Sequence, residues 1–67
     1  MSTVADEAEL ASIAATLEDL HRRVGHMAGR HEAEPEPRED VVTALYEAER
    51  SLSGAVRTVH KARRLVR

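Results

Sequence analysis

Apolar residues recur through the first half of this chain at Leu10, Ile13, Leu17, Leu20, Val24 and Met27, in steps of 3, 4, 3, 4 and 3. In the second half they recur at Val41, Leu45, Ala48, Leu52, Ala55, Val59, Ala62 and Val66, in steps of 4, 3, 4, 3, 4, 3 and 4. Steps of three and four hold side chains on one helical face, and the repeat of seven is that of helices packed side by side. Nothing in the chain alternates with the period of a strand. The pattern predicts an all-α fold: an antiparallel two-helix hairpin with coiled-coil-like heptads, dimerising into a four-helix bundle.

Punctuation divides the pattern into helices over 3–30 and 37–66 with a loop over 31–36, all within one domain, 1–67. Thr3-x-x-Asp6 has the spacing of a capping box, with Asp6 and Glu7 suited to the positive end of the helix dipole. Gly29 and the tract from His31 to Pro37 are expected to stop the first helix. Pro37 suits the first position of the second, where its missing N–H is not needed. The basic end Arg63-Arg64-Leu65-Val66-Arg67 suits a helix C-terminus.

Charge selects the topology. Residues 1–20 carry five acids and no Lys or Arg, whereas residues 50–67 carry six bases and no acids. Folding back antiparallel brings Asp6, Glu7 and Glu9 near Arg63, Arg64 and Arg67, and Arg22 and Arg23 near Glu47 and Glu49. Each exposed pair contributes only ~0–1 kcal/mol, but a parallel arrangement would set like charges together.

A two-helix core is thin, and chains under roughly 70–80 residues usually need a staple. With no cysteine a disulfide is impossible, so association is the staple expected. Ala14, Ala28, Val42 and Val56 flank the seams, giving an apolar face wide enough for more than one neighbour. The interface predicted for a homodimer comprises Leu10, Ile13, Leu17, Leu20, Val24 and Met27 from the first helix. From the second it takes Leu45, Ala48, Leu52, Ala55, Val59 and Ala62. This predicted interior contains no ionisable residue.

Composition narrows the function further. Tyr46 is the one aromatic residue and the net charge is −2, which disfavours base stacking and a general attraction to nucleic acid. No apolar run approaches the roughly 20 residues of a membrane span, and the acidic N-terminus is unlike a signal peptide. A cytoplasmic protein without membrane partners is the expectation. The outer face of the second helix repeats arginine every seven residues at Arg50, Arg57 and Arg64, flanked by Tyr46, His60, Lys61 and Arg67. Such a stripe suits an acidic protein surface, with a nucleic acid or nucleotide as the alternative.

Catalytic and metal chemistry find little support. Glu18-x-x-His21 has the spacing of di-iron bundle ligands, yet the predicted seam runs through Leu17 and Leu20 and places both at its edge. His21, His26, His31 and His60 are read as exposed, His31 as a cap or loop residue. No metal and no cofactor is expected. The segment Pro37-Arg38-Glu39-Asp40-Val41-Val42 resembles the Arg-Glu opening of the second helix in the small all-helical chorismate mutases, with Arg22 or Arg23 in the place of a substrate-clamping arginine. That resemblance would imply a helical-bundle enzyme, but the helix-one lysine and the third helix of that family are missing, and no catalytic residue carries over. The size and hairpin are also similar to those of helical anti-sigma factors that bind a cyclic dinucleotide. Glu49 and Ser53 match the first spacing of their motif, and Val56 and His60 then break it. The expectation is a non-enzymatic protein-interaction or regulatory module.

Overall fold

Two helices make up the structure, a computed structural model that describes residues 3–67. Helix α1 spans Thr3–Glu32 and α2 spans Glu39–Leu65, and the two pack against each other with no strand among the described residues. Cross-helix contacts link Glu7 to Arg67, Glu18 to His60 and Glu32 to Tyr46. Numbers rise on one helix as they fall on the other, so the hairpin is antiparallel. It is a rod with principal extents of 54 × 13 × 12 Å.

The helix ends differ from the sequence expectation for local reasons. Thr3 is already helical, so the cap of α1 lies outside the described residues. Gly29 does not stop α1: the helix runs on to Glu32, and the Ala33 N–H still donates to the Gly29 carbonyl at 3.1 Å. Termination comes from Pro35, which lacks an N–H and restricts Glu34 before it to extended conformations. Pro37 is not the first residue of α2. Arg38 takes the cap position with extended dihedrals (φ −79°, ψ 102°), and Glu39 and Asp40 lie in the first turn. Arg38 grips Asp40 with two hydrogen bonds, at 3.1 and 2.7 Å, and Asp40 also accepts the Val41 N–H at 2.9 Å. The Arg38 bonds, then the Val41 N–H, hold the Asp40 carboxyl below its ordinary value.

Gly29 has open space where a Cβ would project. Since it sits inside the helix, Gly29→Ala is expected to stabilise the chain by roughly 0.5–1 kcal/mol through helix propensity alone. Urea denaturation of the two proteins checks this. An unchanged midpoint would mean that this part of α1 is frayed in solution.

Packing rotates both helices by about one heptad position from the predicted seam. The inward row of α1 is Leu10, Ala14, Leu17, His21, Val24 and Ala28, continuing to His31. That of α2 is Val42, Leu45, Glu49, Leu52, Val56, Val59, Arg63 and Val66. Among the described residues Ala14, Ala28 and Val42 are the buried ones. Ile13, Leu20 and Met27, predicted inside, are instead 41%, 36% and 40% exposed. An apolar face three positions wide offers two ways to form a two-helix seam. The one adopted turns Val42 and Val56 inward in place of Ala48, Ala55 and Ala62 on α2, and Ala14, His21 and Ala28 inward in place of Ile13, Leu20 and Met27 on α1. The interior consequently does hold ionisable groups: His21, His31, Glu49 and Arg63 all lie half-buried in the seam. His31 is thus a helical residue of the seam and not an exposed loop residue.

The rod remains under-buried. Its accessible surface is 5003 Å², whereas a folded monomer of 7.4 kDa is expected to expose about 4,200 Å². No large side chain is fully buried among the described residues.

Candidate interaction faces

The register of the hairpin sorts its surface into two flanks. On one, Glu18, Gly25 and Glu32 of α1 meet His60, Glu49 and Tyr46 of α2. The other carries Ile13, Leu20 and Met27 from α1 beside Val41, Ala48, Ala55 and Ala62 from α2, as their heptad positions require. The polar flank holds a line of charged and hydroxyl groups. The apolar flank holds none in these two rows.

The predicted interface residues therefore divide. Leu10, Leu17, Val24, Leu45, Leu52 and Val59 are consumed within the hairpin. Ile13, Leu20, Met27, Ala48, Ala55 and Ala62 remain on the apolar flank. One end of this flank has a shallow groove of about 240 Å³ lined by Asp6, Glu9, Leu10, Ile13 and Val66. Near it Leu65 is 74% exposed.

On the polar flank an open cleft of about 340 Å³ is lined by His21, Tyr46, Glu49, Arg50, Ser53 and Arg57. It continues along α1 past Glu18, Arg22, Gly25 and His26. Gly25 matters here because a Cβ at that position would run into the Glu49 carboxylate. The missing side chain lets Glu49 lie across α1. Tyr46 donates its hydroxyl to Glu32 at 3.3 Å, and partial desolvation, then the Glu32 charge, pushes its phenol up from the ordinary value.

Of the five residues assigned to partner contact, the structure brings Tyr46, Arg50 and Arg57 together in this cleft. Lys61 and Arg64 are exposed further along α2 and do not line it. Arg57 donates only to the Ser53 hydroxyl, at 3.3 Å, and Arg50 forms no ion pair among the described residues. Both guanidinium groups are thus free to take an anion.

The predicted pairs of Arg22 and Arg23 with Glu47 and Glu49 do not form. Both arginines turn to Asp19 one turn away, at 2.8 and 3.8 Å. At the other end Arg67 meets Glu7 at 3.1 Å. Arg63 bends back to His60 instead of reaching Asp6 or Glu9: its Nη1 lies 3.2 Å from His60 Nδ1, and His60 Nε2 is 3.0 Å from Glu18. Arginine has only donors, so Nδ1 accepts and Nε2–H donates to Glu18. Arg63 Nε is buried without a partner. These polar seam groups were missed because the heptad pattern counts apolar residues only.

Glu18 and His21, singled out for their spacing, do not converge. Glu18 serves His60 while His21 lines the cleft. No group of three or more His, Cys, Asp or Glu side chains among the described residues is arranged to hold a metal ion. No helix of the described residues is long and apolar enough to cross a membrane. Comparison with known proteins finds no family model, no curated protein and no solved structure that matches this chain.

Proposed function

We propose that this chain is a non-enzymatic protein-interaction module, a helical hairpin that self-associates through its apolar flank and binds another protein with its polar one. The observation that carries this reading is the exposed row Ile13, Leu20 and Met27. The surface excess over a compact monomer, about 800 Å², is close to what each partner buries in a standard interface. Covering the row would supply the core that a hairpin with three buried residues lacks.

The second half of the reading rests on Arg50 and Arg57, whose charges have no carboxylate partner among the described residues. They form the cationic outer edge of a cleft that Tyr46 and Glu49 also line, and that edge suits acidic side chains of a partner. Lys61 and Arg64 extend the positive surface along α2. Partner electrostatics of this kind set association rate and selectivity more than affinity.

Light scattering with circular dichroism on one sample tests the association. The expected result is a helical particle of about twice the 7.4 kDa chain mass. A stable helical monomer would overturn it. For the polar flank, Arg50, Arg57 and Arg64 are changed together to Glu, and binding to a polyglutamate probe is measured by titration. Binding should fall at least about tenfold at low salt, with helicity nearly unchanged. Equal binding by both proteins would reduce the stripe to a solvated surface. A nucleic-acid ligand would instead show itself by binding oligonucleotide in preference to polyglutamate, with a steep salt dependence.

A further inference from the structure

The apolar flank has a size pattern that selects one way of pairing two hairpins. The contacts Glu7–Arg67, Glu18–His60, Gly25–Glu49 and Glu32–Tyr46 fix which residues of α1 and α2 lie at the same height along the rod. In that register Ile13 is level with Ala62, Leu20 with Ala55 and Met27 with Ala48. Each of these three successive levels therefore holds one large side chain, on α1, and one alanine, on α2, with Val41 ending the α2 row beyond them.

We propose that a second copy docks on this flank about a two-fold axis parallel to the helices, so that α1 of each copy lies on α2 of the other and Leu20 faces the partner's Ala55. This deepens the self-association proposed above and rests on it. The same axis seats Ile13 on the partner's Ala62 and Met27 on the partner's Ala48. Large against small at each of these levels gives an even separation between helices, as close packing at 8–10 Å requires. The competing arrangement turns the axis across the rod and stacks α1 on α1. Leu20 would then crowd Leu20 of the other copy while alanine faced alanine across a gap, losing contact on both sides.

Two further features agree with the parallel axis. Arg30 and Glu47 lie at almost the same height on opposite helices, and neither has an ion pair among the described residues. The proposed docking places Arg30 beside the partner's Glu47. It also brings the partner's Leu65, which is 74% exposed in the single chain, level with the groove beside Ile13. One docking thus accounts for the large row, the alanine row, an unpaired charge on each helix and an exposed leucine.

The chain has no native cysteine, so the test is disulfide mapping between single-cysteine variants. Leu20→Cys and Ala55→Cys proteins are prepared separately, unfolded, mixed in equal amounts, refolded and oxidised. The expected product is a disulfide-linked heterodimer, identified by the mass of the joined peptides, with little crosslinking of either variant alone. The pair Met27→Cys with Ala48→Cys should behave likewise and guards against one variant weakening the dimer. If Leu20→Cys instead crosslinks to itself, or if a dimeric mixture gives no crosslink at either pair, the parallel axis is wrong and the self-association stands. If the unsubstituted chain is a monomer by light scattering, both proposals fail together.

Discussion

Leu20→Asp is expected to convert the dimer into a particle of the single-chain mass, 7.4 kDa. Within one hairpin Leu20 is 36% exposed, so an aspartate there can turn to solvent and the fold of the single chain loses little. In the proposed dimer the same position lies at the centre of the apolar flank. Each dimer would then bury two carboxylates with no basic partner, and an uncompensated buried charge costs several kcal/mol. Taking roughly 4 kcal/mol in total as a lower figure, dimer affinity falls by about a thousandfold.

Sedimentation or light scattering across a concentration series gives the dissociation constant directly. The control is Ala15→Asp, which places the same charge at an exposed position of α1 away from the Leu20 row. It should leave the mass unchanged. A Leu20→Asp protein that stayed dimeric at low concentration would show that this row is not the interface, whatever the oligomeric state of the parent chain.

The heptad steps were enough to read two helices, and the split of charge between the halves was enough to read their antiparallel order. Both rest on many residues acting together, which makes them robust to any single exception. The rotation of each helix was not legible. Apolar residues occupy three neighbouring heptad positions, and period alone cannot say which two face the other helix. In the register adopted, Ile13, Leu20 and Met27 of α1 turn outward while Val42 and Val56 of α2 turn inward. Once the valines do, Glu49 and Arg63 must enter with them, because they share the same heptad position.

The cleft was half legible for a related reason. A seven-residue repeat of arginine is visible in the sequence, as is Tyr46 near it. That Glu49 lies across Gly25, and that His21 joins the same cleft, depends on where the helices turn. By helix propensity alone Gly25 is a weak point of α1, costing up to about 1 kcal/mol relative to alanine. Its structural role is to leave room for a carboxylate.

The same rotation gives Arg63→Leu an unusual expected sign: stabilisation, by up to about 2 kcal/mol, although a charged surface-type residue is removed from the basic end of a helix. Arg63 is half-buried in the seam, and its Nε has no hydrogen-bond partner. A buried donor left unsatisfied costs about 1–3 kcal/mol relative to its hydrated state. Leucine removes that donor, keeps apolar volume against the neighbouring helix and gives up one hydrogen bond, from Nη1 to His60 at 3.2 Å. The lost bond is worth about 1 kcal/mol, and His60 retains Glu18. Arg63→Ala separates the two contributions, since it removes the donor and also the aliphatic stem that fills the seam. It should be neutral or destabilising where leucine stabilises. Urea midpoints are compared at one fixed protein concentration, because association adds to the apparent stability of any variant that still dimerises. If leucine destabilises as much as alanine, the guanidinium is satisfied in solution by a group that the single hairpin does not supply. The end of the seam near His60 would then be a place where the partner's side chains reach in.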